Sequence, residues 1–181
     1  KHNLTDYHKF FIDRINDGET ILDVGCGQAI VAASIASAKK SCYVIGIDIN
    51  KTNIEKGKSL INKRNLKNIQ LICGDINDQK NIKVDKVIIS NVLEHISERK
   101  IFIENLKLIT RAKYFLIRVP LFERDWQIPL RKELGIDYYS DTDHKIEHTI
   151  EAFKNEMKDS KLLINEMITV WGEIWANCIN E

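Results

Sequence analysis

Residues 20–29 read Thr-Ile-Leu-Asp-Val-Gly-Cys-Gly-Gln-Ala. Ile21, Leu22 and Val24 make a strand pattern that carries an acid, Asp23, near its end. Gly25 and Gly27 then break the strand, and a helix pattern starts at once. Glycine lets the backbone turn sharply and come close to a ligand, and the helix that follows offers unpaired N–H groups at its start. Strand, glycine turn and helix together make a nucleotide-binding edge. Three more polar groups stand where apolar runs end: Asp48 with Ile49, Asp75 with Ile76, and Asn91 with Val92. A second concentration lies at 137–148, Asp-Tyr-Tyr-Ser-Asp-Thr-Asp-His-Lys-Ile-Glu-His. There, His144, Glu147 and His148 are three and four residues apart and would share one face of a helix. An imidazole beside a carboxylate is a base with an orienting partner.

The elements that must hold these groups alternate. Leu4, Tyr7, Phe11, Ile12 and Ile15 have helical spacing over 4–15, ended by Asp17-Gly18. Strands are expected at 20–25, 42–47, 69–73, 84–90 and 113–119, with helices at 29–40, 51–64 and 97–110. Strands alternating with helices imply a parallel sheet covered on both faces. Residues 120–147 contain both prolines, Pro120 and Pro129, with many aromatics and acids, and read as an irregular insertion. A helix is expected at 149–159 and two strands at 162–170 and 173–179. The short connection Trp171-Gly172 makes those strands an antiparallel hairpin. The expected fold is therefore α/β: a Rossmann-like, seven-stranded, mostly parallel sheet with helices on both faces and a C-terminal antiparallel hairpin. A single domain over 1–181 is expected, with a substrate-side insertion at about 120–147.

A dinucleotide fingerprint would need a third glycine. From Gly25 the chain reads Gly-Cys-Gly-Gln-Ala-Ile, with Ile30 in that place. Asp23 would also set a negative charge near a pyrophosphate, whereas a cationic ligand without phosphate would suit it. The run Asp23, Gly25, Gly27, Ala29 resembles the first motif of class I S-adenosylmethionine-dependent methyltransferases, with alanine where that family often has glycine. The resemblance continues through Ile45-Gly46-Ile47-Asp48-Ile49, Cys73-Gly74-Asp75-Ile76 and Ile89-Ser90-Asn91-Val92-Leu93-Glu94-His95-Ile96. It covers roughly 20–120 and the terminal hairpin.

The resemblance implies S-adenosylmethionine as cofactor and methyl transfer as reaction. Gly25, Cys26 and Gly27 would then pack beside the methionine portion and ribose, with Asp23 on the amino acid end. Asp48 would accept the ribose hydroxyls, Ile49 would lie against adenine, and Asp75 with Ile76 would take the adenine amino group. Asn91 and Val92 would stand near the sulfonium and its methyl. Read as local structure alone, Asp75 and Asn91 are equally good turn or helix caps.

The acceptor side is expected in the insertion. His144, Glu147 and His148 are the candidate catalytic residues, and Arg118, Trp126 and Tyr138 the candidate substrate-binding ones. Arg118 ends the fifth strand; the arginines of this region would either hold an anionic acceptor or pair with Glu123, Asp125 and Glu133. The adopted reading assigns no metal; a metal alternative would use Asp141, Asp143, His144 and His148. The residues 118–126 resemble inserts of bacterial methyltransferases associated with surface polysaccharides. His95 is read as either structural or functional.

Composition sets outer bounds. The chain has 181 residues, is 44% hydrophobic and 29% charged, and carries a formal net charge of +1. Near-neutral charge with an acidic insertion argues against a nucleic-acid partner, which would call for a basic stripe. No apolar run approaches the ~20 residues of a membrane span. Four cysteines without a CxxC pair suit reduced thiols and a cytoplasmic location. The missing initiator Met suggests a trimmed chain. The function expected is transfer of a methyl group from S-adenosylmethionine to a small-molecule or sugar-type acceptor. The alternatives are an RNA methyltransferase and a non-catalytic partner protein that binds the cofactor only structurally.

Overall fold

The computed structural model describes residues 5–181. Seven strands form one sheet in the order β3-β2-β1-β4-β5-β7-β6: β1 Thr20–Val24, β2 Tyr43–Asp48, β3 Ile69–Cys73, β4 Lys86–Ser90, β5 Tyr114–Pro120, β6 Leu162–Val170 and β7 Glu173–Asn180. The helices are α1 Lys9–Ile12, α2 Ile30–Ala38, α3 Lys51–Lys63, α4 Arg99–Thr110, α5 Gln127–Glu133 and α6 Ile150–Asp159. The chain divides into two compact units. One runs up to Ile88 and includes Ile109–Ala112; the other comprises Ile89–Leu108 and Lys113–Glu181.

In the first unit β1 pairs with β2, and β2 with β3, all parallel. Parallel strands covered on both faces read as continuous apolar runs, and β1 is buried from Ile21 to Val24. Ile21, Leu22, Ile35, Ile47 and Ile54 are all but inaccessible and make the core of this unit. The expected first helix shortens to α1: Phe10, Phe11 and Ile15 are buried, and Leu4 lies outside the described residues. Asn50 starts α3 as its N-cap, accepting from the Asn53 N–H at 3.2 Å, the usual way to satisfy an orphan donor at a helix start.

In the second unit β7 pairs antiparallel with both β5 and β6. The last strand therefore lies inside the sheet and β6 forms the edge. Their burial explains the order. β7 is almost wholly covered, whereas β6 mostly mixes half-buried and exposed positions and carries a bulge between Ile164 and Glu166, a common feature of edge strands. The connection has Trp171 at φ 55° and Gly172 at φ 74°, the left-handed pair that a two-residue hairpin turn needs. Gly172 is also a close-approach site: a Cβ there would stand 2.7 Å from that of Arg124. Phe115, Phe153 and Trp175 fill the core of this unit. No helix among the described residues is long and apolar enough to cross a membrane.

Candidate functional site

The first unit holds the glycine turn. Gly25 and Gly27 have φ of 64° and 54°, so both need the left-handed region that favours glycine. Ala29 follows at φ 59°, ψ 30° as the N-cap of α2, and here a Cβ is carried in that strained region. A Cβ built on Gly27 meets nothing within 4 Å. The backbone there borders open space.

Asp23 is 2% exposed, and its Oδ2 has no hydrogen-bond partner. Burial lifts its carboxyl to about 7, against a hydrogen bond from the Ala32 backbone and with help from the charge of Asp48. A buried carboxylate with one oxygen unspent suits a cationic group, because a lone buried charge is costly until paired. Asp48 ties the turn to β2. Its Oδ2 accepts from Gly27 N–H and its Oδ1 from Asn50 N–H, both at 2.8 Å. Each carboxylate oxygen keeps a further lone pair for a hydroxyl. Ile49, beyond β2, is 76% exposed.

Asp75 does the capping work of the short 3₁₀ turn Ile76–Asp78, accepting from Asn77 N–H at 2.8 Å and Asn77 Nδ2 at 3.0 Å. Ile76 itself is buried at 5% exposure, with its side chain in the core. Cys26 is also buried, its thiol pushed far up in pKa by burial, so it packs rather than reacts.

Two further glycines, Gly46 within the second motif and Gly57 outside all of them, shape this turn. A Cβ on Gly46 of β2 would come within 2.9 Å of Cys26 Sγ. One on Gly57, inside α3, would come to 2.7 Å from Leu71 Cδ1, 3.2 Å from Ala29 Cβ and 3.3 Å from the Gln28 carbonyl carbon. A glycine in a helix interior is unfavourable by about 1 kcal/mol relative to alanine, and that mid-helix position was the signal available in the sequence. Gly57→Ala is expected to destabilise the protein by about 1–2 kcal/mol, overpacking outweighing the helix gain. It should also weaken ligand binding at the turn. Urea unfolding and calorimetry on the same variant would show both effects; a more stable variant with unchanged binding would contradict the packing argument.

The second unit holds the acceptor candidates. Asn91 leaves β4 at φ 56° with its N–H donating to the Arg118 carbonyl at 2.9 Å; Val92 is half-buried. The segment 137–149 is not helical, and α6 starts only after its N-cap Thr149. The shared helical face expected for His144, Glu147 and His148 is thereby corrected. His144 and Glu147 still meet, with Nδ1 and Oε1 2.9 Å apart. Glu147 is saturated: it accepts from Arg124 Nη1 at 2.8 Å, Ser140 N–H at 2.7 Å and Ser140 Oγ at 2.8 Å. Burial would raise its pKa, but these hydrogen bonds prevail and hold it down at about 2. His148 goes elsewhere. It is fully buried, Nε2 lies 3.5 Å from Glu156 Oε2, and its ring meets Phe153 edge-on at 6.1 Å.

The metal alternative fails in its expected membership. Asp141 and Asp143 are exposed and His148 is turned to Glu156. Among the described residues the ligand-type groups that converge are Glu94, His95 and His144.

Arg118 does not pair with Glu123, Asp125 or Glu133 as weighed from sequence. It is buried in a two-pronged ion pair with Glu173, Nε to Oε2 at 3.0 Å and Nη2 to Oε1 at 2.6 Å, and its guanidinium lies 4.9 Å from the Trp175 ring centre. Trp126 is 71% exposed. Tyr138 stacks on Tyr139 at 4.8 Å and meets Phe122 edge-on at 6.3 Å. Glu94, Arg124, Ser140 and Glu173 are thus the groups of this region that the motif reading did not place.

Comparison with known proteins follows the same lines. Residues 15–177 match the family described as Methyltransferase domain. Over 102 residues the chain is 30% identical to the "Probable (S)-tetrahydroprotoberberine N-methyltransferase 2" of Papaver bracteatum, an overlap of 55% of this chain and 28% of that one. The chain spans about a quarter to a third of the length of such curated relatives. Among solved structures, a coclaurine N-methyltransferase bound to N-methylheliamine and SAH superposes with a TM-score of 0.72 at 18% identity, covering 91% of this chain and 50% of that one. A small RNA methyltransferase superposes at 0.80, also at 18% identity, over 97% of this chain and 25% of that one. These likenesses to solved structures are likenesses of fold.

Proposed function

We propose, from the premise that the chain belongs to the methyltransferase-domain family, that it moves a methyl group from S-adenosylmethionine, the family's donor, to a small-molecule or sugar-type acceptor. The observation that carries the reading is Asp23, a buried carboxylate with an unpartnered oxygen next to a glycine turn that faces open space. The amino acid end of the donor carries an ammonium group, which is the partner that oxygen lacks. Gly25, Cys26 and Gly27 give the bare backbone, Asp48 takes the ribose hydroxyls, and Ile49 and Asp75 serve the adenine. Asn91 and Val92 serve the reacting end. Residues 1–181 are read as a single domain, with 120–147 as its acceptor-side insertion. Unpaired cysteines fit a reducing, cytoplasmic setting.

Methyl transfer is an in-line displacement at a sulfonium, and positioning of the two reactants can supply roughly 7–11 kcal/mol of the barrier. An oxygen acceptor also loses a proton. His144 is the group for that step, held by Glu147, whose own hydrogen bonds fix it as an anion. His148 is assigned to packing, and Arg118 to a positioning role through Glu173. Relatives named as N-methyltransferases favour a small molecule over RNA.

Calorimetric titration with S-adenosylmethionine and with NADH tests the donor; binding of NADH alone would overturn the reading. Labelled methyl transfer to fractionated host extract then finds the acceptor. With that acceptor, His144→Ala is expected to lower kcat by about 10²–10⁴, the usual worth of a positioned base, with donor Kd within about twofold. Equal turnover in variant and parent would remove His144 from the chemistry.

A further inference from the structure

Glu94 is a buried carboxylate of the second unit that forms no direct ion pair among the described residues. It is 1% exposed, and its Oε2 has no hydrogen-bond partner. The arginines of this unit nearest it are already committed, Arg118 to Glu173 and Arg124 to Glu147. Arg99 is held by Glu156. Both Arg118 and Arg124 favour its charge from a distance, but among the described residues no cation forms an ion pair with Glu94. Two imidazoles converge on it: one ligand atom from each of Glu94, His95 and His144 lies within 4.8 Å of the others. The His95 and His144 rings meet edge-on at 4.9 Å, and His95 Nδ1 is buried without a hydrogen bond, with the nearest acid oxygen on Asp143 at 3.9 Å. The two segments are fixed to each other, because Lys145 N–H donates to the Glu94 carbonyl at 2.7 Å.

We propose that Glu94, His95 and His144 form a binding site for a divalent transition-metal cation. The donor set decides the class of ion. Two imidazoles and one carboxylate suit Zn²⁺, Mn²⁺, Fe²⁺ or Co²⁺, whereas Mg²⁺ and Ca²⁺ prefer all-oxygen sites. Three protein ligands also leave coordination positions open, as in catalytic rather than structural sites. The surroundings of His144 are those of a metal-bound histidine. The Glu147 carboxylate accepts a hydrogen bond from His144 Nδ1–H, which fixes the tautomer and leaves the lone pair on Nε2. Glu147 in turn is held by Arg124 and Ser140.

The inference deepens the proposed reaction and rests on it for its purpose, not for the binding itself. With the cation bound, His144 is a ligand through Nε2 and no longer the base; a hydroxyl of the acceptor bound to the cation would instead lose its proton to solvent at neutral pH. As the new O–CH₃ bond forms, the S–CH₃ bond breaks and its electron pair stays on sulfur, giving S-adenosylhomocysteine.

The test is a Co²⁺ titration of the metal-stripped chain, followed by visible absorption and then by competition with Zn²⁺. One equivalent is expected, with ligand-field bands that Zn²⁺ abolishes. Glu94→Gln and His144→Ala should each weaken binding at least tenfold, and Glu147→Gln by about 10–100-fold, the usual worth of a group that orients a ligand. Circular dichroism on each variant shows that the fold is kept. Absence of saturable bands in the parent chain, or Co²⁺ affinity in Glu94→Gln and His144→Ala equal to the parent's, overturns the site. S-adenosylmethionine calorimetry on the same samples separates the two ideas. Donor binding without Co²⁺ binding ends only the metal site, and Co²⁺ binding without donor binding ends only the proposed function.

Discussion

Asp23→Asn is expected to cost S-adenosylmethionine affinity a factor of about 10²–10³ while making the ligand-free protein more stable above pH 7. Both effects come from one carboxylate. Burial raises the folded-state pKa of Asp23 to about 7 from an ordinary value of 3.8. Between those values the unfolded chain has released the proton and the folded chain still holds it. Stability therefore falls as pH rises from about 4 to 7, then levels off with the group ionised in both states. Each unit of difference is worth about 1.4 kcal/mol. Asparagine removes that penalty, and a gain of about 2 kcal/mol would raise Tm by roughly 4–8 °C in a chain of this size.

The loss of affinity has the same origin. Removing one partner of a buried charge pair costs about 3–5 kcal/mol, and here the other partner is the donor's ammonium. Because that partner needs Asp23 ionised, affinity in the parent should rise about tenfold per unit from pH 5.5 to 7 and then flatten. Calorimetry over that range, with melting curves of both proteins at pH 8, checks the whole chain of reasoning. A flat affinity profile, or an asparagine variant that binds normally, would show that Asp23 does not face the donor.

Much of this was legible because it is local. The glycine turn, Asp23, Asp48 and the hairpin turn at Trp171-Gly172 follow from backbone requirements that a few neighbouring residues meet or fail to meet. The left-handed Ala29 stands where the resemblance called for glycine, and its φ gives the reason for that preference. Asp75 shows the limit of the same logic: a cap and a ligand contact ask for the same residue, so the sequence left them equal.

What stayed hidden depends on distant partners. Whether β6 or β7 lies inside the sheet turns on which one is covered on both faces, and both runs are apolar enough for either place. His144 and Glu147 were paired correctly for the wrong local reason. A stretch rich in Asp, Ser and Thr prefers turns to helix, and a loop brought the two together. Glu94 stood in plain view in a quoted motif, but an acid becomes informative only once its surroundings show that no cation pairs with it directly. Gly46 and Gly57 are defined by side chains of other elements. Glu173 could not be tied to Arg118 across 55 residues of separation without the β5–β7 register, which sets Arg118 opposite Trp175 and Pro120 opposite Glu173.

That ion pair yields the other large effect. Arg118→Met alone should destabilise the protein by about 3–5 kcal/mol, since it removes the guanidinium that balances the buried Glu173 carboxylate; Glu173→Met should cost a similar amount by removing the charge that balances Arg118. Both side chains are 5–6% exposed and joined through two hydrogen bonds, so neither can turn to water cheaply. Replacing both together should recover most of the loss, because apolar side chains of similar size often match or exceed a buried pair, and the Trp175 ring beside the guanidinium gives a methionine something to pack on. Urea unfolding of the two single variants and the double variant gives the coupling directly.

The double variant also settles which of two roles Arg118 has. It was expected from sequence to hold an anionic acceptor, and it is found holding Glu173. If its work is to position β5 against β7, a double variant that folds well should turn over acceptor with unchanged KM. If the guanidinium also reaches the acceptor, KM should rise at least tenfold while stability and donor Kd stay near the parent's. Single variants cannot make this distinction, because their damage to the fold would raise KM in either case. Strictly additive losses in the double variant would instead show that the pair carries no coupling, and that Arg118 and Glu173 are each stabilised by other neighbours.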